Sequence, residues 1–584
     1  MIKNIFDVIK LSLKLDFKKV LFVQFLCMLS AFLELFTVIL FATYINFLSF
    51  PDKNNISNLF NSFFENLSLF GNINLSFSIF VILLFLTASI VSIITIWHLN
   101  KFSVRIGYHI GEKIFQGLLY NNWLALKNES RDKLFNKINE ESKRVGGLIG
   151  AIFQINLNLL LSIFLLLSSF AVNFQATLFG IIIFLIIYVL FFRRFQRKAY
   201  LIGKEITTLN QSRINIAFQG LESIKEVLVY GLQKKLSFKF DRIGERLSKV
   251  HAISKMLSQT IRPVLHFFIV FLFVVFVTLL ENFKGTQFKE ILPQITFFAL
   301  VSLKIMPAFN NIYSNFINIK GNIPAYFNLK KDISNYIIKS KTVLNKSSRK
   351  SNLKLYESIK LKNFSFLYLD KNNKEIRIFE KSNFEGKIGD MIYIQGDSGS
   401  GKTTFLEILI RLLSNKNQKL FIDDKEITKE YDLFNLFSYV PQKTFINSGT
   451  IEQNIILDKK VYKNSLDMKK LKKIVVMTGI NDFLKKDKKD LSFDPGDMGV
   501  KLSGGQKQRI GIARALFADR KVIIFDEATN ALDKKTENKI MKNIQKYAKN
   551  KIIILVSHNT AILKYCNKHY IIKNKKLINK NKFK

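Results

Sequence analysis

Met391-Ile392-Tyr393-Ile394-Gln395-Gly396-Asp397-Ser398-Gly399-Ser400-Gly401-Lys402-Thr403-Thr404 decides the second half of the chain. A short apolar run ends in G-x-x-x-x-G-K-T and is followed by a helical run, Thr404 to Leu413. This strand–loop–helix order is the context a phosphate-binding loop requires. Glycines let backbone N–H groups turn inward around phosphate oxygens, and the following helix offers the positive end of its dipole. The spacing assigns Lys402 to the β- and γ-phosphates and the Thr403 hydroxyl to Mg²⁺.

Working outward, Val522-Ile523-Ile524-Phe525-Asp526-Glu527 is an apolar strand closed by two carboxylates. Asp526 suits a Mg²⁺ ligand because hard cations take oxygen donors. Glu527 is placed to polarise an attacking water. Further β-type runs at Lys419–Ile422 and Lys551–Val556 alternate with helical segments. That alternation predicts an α/β domain with a largely parallel sheet over 355–584.

Between these motifs lies Leu502-Ser503-Gly504-Gly505-Gln506, 100 residues after Lys402 and 20 before Asp526. In that setting it resembles the signature of ATP-binding-cassette (ABC) ATPases. The resemblance implies ATP and Mg²⁺ as cofactors and nucleotide contacts along Gly396, Asp397, Ser398, Gly399, Ser400, Gly401, Lys402, Thr403 and Thr404. It makes Gln442, in Tyr439-Val440-Pro441-Gln442, the Q-loop glutamine and a Mg²⁺ ligand. Asp533, in Ala531-Leu532-Asp533, becomes the D-loop, His558 the switch histidine and Tyr368 the aromatic that stacks on adenine. It also implies that two cassettes pack head to tail, with Ser503, Gly504, Gly505 and Gln506 of one covering nucleotide on the other. One loop and one signature per chain imply a homodimer with two hydrolytic sites.

The first half is different in kind. Of 584 residues 48% are hydrophobic, and 57 are Phe. Apolar runs at Val20–Leu48, Leu75–Leu99, Leu148–Val172, Phe174–Phe192, Val264–Leu280 and Ile291–Ile312 predict six transmembrane helices, the last the weakest. The fold class is therefore an α-helical polytopic membrane domain over 1–338, a Lys/Ser-rich linker over 339–354, and the ATPase domain. A cleaved leader fits the first run poorly, because the run is too long.

The formal charge of +44 does not call for nucleic acid, because its position explains it. Arg193–Lys255 holds 14 basic and 5 acidic residues, and Lys101–Arg144 holds 9 and 5. Phe50–Asn74 carries only Lys53, Asp52 and Glu65. The basic loops are read as cytoplasmic, with both termini and the ATPase domain, in a bacterial inner membrane. Two cysteines, Cys27 and Cys566, provide no disulfide framework.

The loops carry helical periodicity, for example Ile216, Leu221, Ile224, Leu228 and Leu232. They are read as helices continuing into the cytoplasm and turning at short crossing helices near Asn121–Leu126 and Gln219–Val227. Asn55–Leu69 has an apolar stripe that suits either an outer surface helix or an irregular loop. The whole layout resembles exporter-type ABC half-transporters. Ala299–Asn310, Phe32-Leu33-Glu34 and Gln219–Glu226 resemble bacterial lipid-linked oligosaccharide flippases. Intramembrane cations favour an anionic lipid-linked substrate: Arg262 and Lys304 either line a cavity or snorkel to the interface, and Glu34 either lines it or partners one of them. His98 and His266 are read as structural. Drugs, simple lipids, lipid A-type molecules and peptides are the alternative cargoes.

Overall fold

The structure is a computed structural model that describes residues 2–49, 73–120, 123–127, 129–284, 288–338, 354–369, 375–413, 418–427, 433–457 and 465–580. Asn55–Leu69 lies outside the described residues, as does nearly all of the linker. Two compact units form, Met1–Asn121 with Lys127–Val343, and Asn122–Leu126 with Leu344–Lys584. The short segment Asn122–Leu126 thus groups with the second unit, although the flanking chain belongs to the first.

The first unit is helical: α1 (Ile2–Ser49), α2 (Ile73–Leu119), α3 (Trp123–Lys127, mostly of the second unit), α4 (Arg131–Asn136), α5 (Ser142–Val172), α6 (Phe174–Glu222), α7 (Ile224–Val229), α8 (Gln233–Gln259), α9 (Ile261–Lys284) and α10 (Phe288–Asp332). Helices of 45 to 49 residues exceed the roughly 20 needed to cross hydrocarbon, so they continue well beyond it. By length and composition, four stretches among the described residues can cross a membrane: Ile5–Phe47, Leu75–Leu119, Arg131–Val172 and Gln294–Ile337. The expected fourth and fifth spans fall within α6 and α9. Ile82, Leu83, Ile93, Trp97 and Leu167 face outward, as side chains solvated by lipid do.

Asp16 divides α1. Its φ/ψ of −157°/78° breaks the helix, and its carboxylate accepts the Lys19 N–H at 3.3 Å, starting the second segment. The break lies just before Val20, where the first apolar run begins. At the other turn, α6 ends at Glu222 and α7 occupies Ile224–Val229, close to the crossing helix expected over Gln219–Val227. Leu221, Ile224, Leu228 and Val229 are exposed there, while Val227 is buried.

A close crossing in the first unit joins α6 to α10. A Cβ on Gly203 would lie 1.9 Å from the Gly321 carbonyl oxygen, so no larger residue fits without the helices separating. Arg144, from α5, fastens this crossing. Its guanidinium donates to Gly203 O (3.1 Å), Gly321 O (2.7 Å), Thr207 Oγ1 (2.6 Å) and Asn322 Oδ1 (3.1 Å). The planar fork suits this work, since it serves several acceptors at once.

The second unit holds two sheets. Strands are β1 (Ser358–Leu369), β2 (Glu375–Lys387), β3 (Met391–Gly396), β4 (Lys419–Ile422), β5 (Lys425–Ile427), β6 (Phe437–Val440), β7 (Val522–Asp526), β8 (Ile552–Val556), β9 (Lys568–Lys573) and β10 (Lys576–Asn579). Helices are α11 (Lys402–Leu409), α12 (Ile451–Ile456), α13 (Ser465–Met477), α14 (Ile480–Lys486), α15 (Gly504–Phe517) and α16 (Lys534–Tyr547). The main sheet runs β10-β9-β3-β8-β7-β6 and is parallel except at β10. Its central strands are apolar on both faces, as strands covered on both sides must be. The second sheet, β2-β1-β4-β5, is antiparallel and was not expected from the sequence. The helix after the phosphate loop is also shorter than read: it begins at Lys402 and stops at Leu409.

Candidate nucleotide site

Four neighbouring strands of the parallel sheet, β3-β8-β7-β6, end side by side. Just beyond their carboxyl ends lie, in that order, the Gly396–Thr403 loop, His558, the Asp526/Glu527 pair and Gln442. Residues up to 162 apart in sequence, Gly396 and His558, therefore meet within a few strand spacings, at the edge where α/β sheets bind ligands.

Gly399 and Gly401 have φ of +78° and +101°. At Gly401 a Cβ would also fall 2.6 Å from Ile378 Cγ2, so both conformation and space require glycine. The loop leads into α11 with Lys402 at its first turn. Lys402 is buried, and its ammonium donates to the carbonyls of Gly396 (2.9 Å) and Asp397 (3.0 Å), with His558 Nε2 at 3.3 Å.

Glu527 is the hub. Gln442 Nε2 donates to its Oε2 at 2.8 Å, Asn530 Nδ2 to the same oxygen at 3.1 Å, and His558 Nε2 lies 3.2 Å from Oε1. Its backbone sits in the left-handed region at φ +52°, a position that costs about 1 kcal/mol for a residue with a side chain. The N–H donated to Val556 O at 2.9 Å secures it there. Asn530 was not singled out from sequence.

Asp526 is buried at the end of β7. It accepts hydrogen bonds from the Thr403 hydroxyl and from Tyr439 Oη, the latter at 2.8 Å. Burial, with the neighbouring Glu527 charge, pushes its carboxyl above the usual range. A cation placed here would relieve both effects. The donor groups gathered here, a carboxylate and a hydroxyl, offer oxygen. That fits Mg²⁺, which takes one or two carboxylates and completes its shell with water and substrate phosphate. Thr403, Asp526 and the Gln442 amide oxygen are the groups that would hold it.

Ser503 caps α15 in a reciprocal box with Gln506: Ser503 N–H donates to Gln506 Oε1 at 2.8 Å, and Gln506 N–H to Ser503 Oγ at 3.3 Å. Ser503 and Gly504 are exposed, presenting that helix start outward. Asp533 caps α16 through Thr536 N–H at 2.9 Å and faces Arg509 at 3.9 Å. Gln508, buried and given no role by the sequence, accepts the Ala531 N–H at 3.0 Å and so ties the signature helix to the segment before Asp533. Tyr368 lies on β1, edge-on to Phe366. Trp123 Nε1 donates to Glu407 on α11 at 2.9 Å. In the first unit, Lys304 and Glu34 form an ion pair, and Arg262 is exposed.

Residues 379–530 match the ABC transporter family. An export ATP-binding/permease protein of Rickettsia bellii is 34% identical over 239 residues, which is 40% of each chain. Against the Rickettsia relatives the chain covers only 35–40% of their length. The ATP-dependent lipid A-core flippase of Wigglesworthia glossinidia brevipalpis is 28% identical, over 66% of this chain and 64% of that one. The structure of a bacterial Atm1-family ABC exporter with ATP bound superposes with a TM-score of 0.75 at 17% identity, covering 96% of this chain and 94% of that one. The chain thus has the ABC exporter half-transporter fold, an apolar helical domain fused to an ABC ATPase domain.

Proposed function

We propose that two copies of this chain form an exporter that hydrolyses ATP to move an amphipathic, lipid-linked substrate across a bacterial inner membrane. The observation that carries the ATPase reading is the convergence of Lys402, Gln442, Glu527 and His558 within hydrogen-bond range at one sheet edge.

The chemistry follows from the placement of these groups. Lys402 exchanges its carbonyl partners for β- and γ-phosphate oxygens. The loop amides and the start of α11 add donors to those phosphates. Glu527, held on both oxygens, orients the attacking water and accepts its proton. His558 stands where it can donate to the γ-phosphate. Bound Mg²⁺ would neutralise charge building on the β–γ bridge. Exposed Ser503 and Gly504, with half-buried Gly505 behind them, leave the start of α15 open to complete a site on a second copy, which is why the reading is dimeric.

For the cargo, Arg262 at the start of α9 supports an anionic headgroup such as a lipid pyrophosphate; Lys304 and Glu34 form a separate pair. The pairing of Lys304 with Glu34 favours a second reading. A neutralised cation attracts an anion less, so a weakly charged amphiphile, a simple lipid or a drug, fits as well. Full-length chain in liposomes, offered polyprenyl-pyrophosphate glycans and neutral lipids in turn, decides this through leaflet accessibility. Transport of the glycan lipid abolished by Arg262→Ala supports the first reading, and transport of the neutral lipid alone supports the second. ATPase activity unresponsive to any lipid overturns both.

A further inference from the structure

Tyr439 belongs to none of the groups that bind or cleave nucleotide, yet its hydroxyl touches the carboxylate most concerned with metal. Strand β6 runs parallel to β7, with Tyr439 opposite Ile524 and Val440 opposite Phe525. Phe437, Ser438 and Val440 are buried while Tyr439 is exposed on one side, so its ring lies over the sheet surface. From there Oη reaches the last residue of β7, donating to Asp526 Oδ2 at 2.8 Å.

The alternative acceptor is close. Glu407, buried on α11, lies near enough to act electrostatically on both Tyr439 and Asp526. It receives the Trp123 indole N–H at 2.9 Å. The phenol proton goes to Asp526 instead, the carboxylate that also receives Thr403.

We propose that Tyr439 is a positioning residue for the Mg²⁺-holding carboxylate: its hydroxyl pins Oδ2 of Asp526 and thereby fixes the rotamer in which Asp526 and Thr403 face the same cation. This rests on the ATPase reading of the site. A ligating carboxylate with one oxygen hydrogen-bonded swings less freely, so the shell is better ordered before metal arrives. Removing such an outer partner weakens metal binding by roughly 10- to 100-fold.

The test uses full-length chain in lipid nanodiscs, AMP-PNP as nucleotide and Mn²⁺ as the probe, read by electron paramagnetic resonance. Tyr439→Phe keeps the ring and removes the hydroxyl; Tyr439→Ala removes both. The expected result is a Mn²⁺ Kd raised about tenfold or more in both variants, with metal-free AMP-PNP affinity unchanged. An unchanged Mn²⁺ Kd in the Phe variant overturns the proposal, even if Ala weakens binding, because the ring alone would then matter. Equal loss of metal-free nucleotide affinity overturns it too, since the role would be structural. Parent chain that binds neither AMP-PNP nor Mn²⁺ defeats the ATPase reading itself and this inference with it.

Discussion

The phosphate site and the Arg144 crossing are both polar clusters, and they are built on opposite logic. At the sheet edge, side chains of short motifs gather around a place where a ligand's charge will sit, and several of them hold one another in the meantime. Lys402 rests on two carbonyls, and Glu527 on Gln442, Asn530 and His558. At the crossing, Arg144 serves groups of its own fold, two of them helix carbonyls exposed by the close approach of Gly203 to Gly321. The first arrangement waits for a substrate and the second is complete. Losing a group at the first should cost chemistry with the fold intact; at the second it should cost the fold.

The sharpest test is Glu527→Gln. Turnover should fall roughly 10²- to 10⁴-fold, the usual size of a general-base contribution, while ATP binding persists. A phosphate-release assay paired with nucleotide binding checks it, and near-normal turnover would remove Glu527 from its role.

Next comes Gly203→Leu. The added side chain meets the Gly321 carbonyl, and overpacking of this kind costs about 1–3 kcal/mol. Arg144→Met should cost a similar amount, about 1.5–3 kcal/mol for the loss of a charged donor's hydrogen bonds, although the two glycine carbonyls keep their own helix partners. Both variants should lower the thermal midpoint in nanodiscs while surviving protein keeps its affinity for ATP. Loss of ATP affinity without loss of stability would erase the contrast between the two clusters.

A smaller effect is expected at Glu34. Glu34→Gln alone takes the carboxylate partner from Lys304, a cost of about 1 kcal/mol, the size of polar pairs between membrane helices. The double variant with Lys304→Met should recover most of the lost midpoint, and equal damage in single and double variants would dismiss the pair as incidental.

The smallest concerns Asp519. Burial alone would raise its carboxyl, but Lys551 (2.6 Å) and Tyr547 (2.7 Å) overcome this and hold it at about 2, below the ordinary 3.8. A folded value below the unfolded one gives stability that is present above about pH 4 and lost as pH falls toward 2. Because the side chain is 48% exposed, the contribution is under about 1 kcal/mol. Asp519→Asn should lower the urea midpoint slightly at pH 7, and that gap should close below pH 4.

The two clusters also differ in how far the sequence disclosed them. Lys402, Asp526, Glu527 and Ser503 stand in contiguous runs whose spacing has a chemical reason, because a phosphate cradle is made by consecutive backbone amides. Gln442 and His558 were legible through family resemblance, each just past a strand. Tyr439, Asn530 and Gln508 were not, since a lone Tyr, Asn or Gln serves many purposes and only its neighbour identifies which. Arg144 looked like one more basic loop residue, and its partners stand 59 to 178 positions away. The antiparallel sheet was missed because β1 and β2 are irregular, with register shifts that spoil simple alternation.

By itself the sequence determined what depends on local order: apolar stretches long enough for hydrocarbon, a glycine-rich turn between strand and helix, carboxylates at a strand's end. Tertiary structure alone decided what depends on distant partners. Lys304 met Glu34 across 270 positions, Tyr439 met Asp526 across 87, and one arginine met two helix carbonyls. Periodicity records which face of an element is apolar, but the partner of a charge or a hydroxyl is set only when helices and strands have packed, because hydrogen bonds act over about 3 Å and leave no trace at longer sequence range.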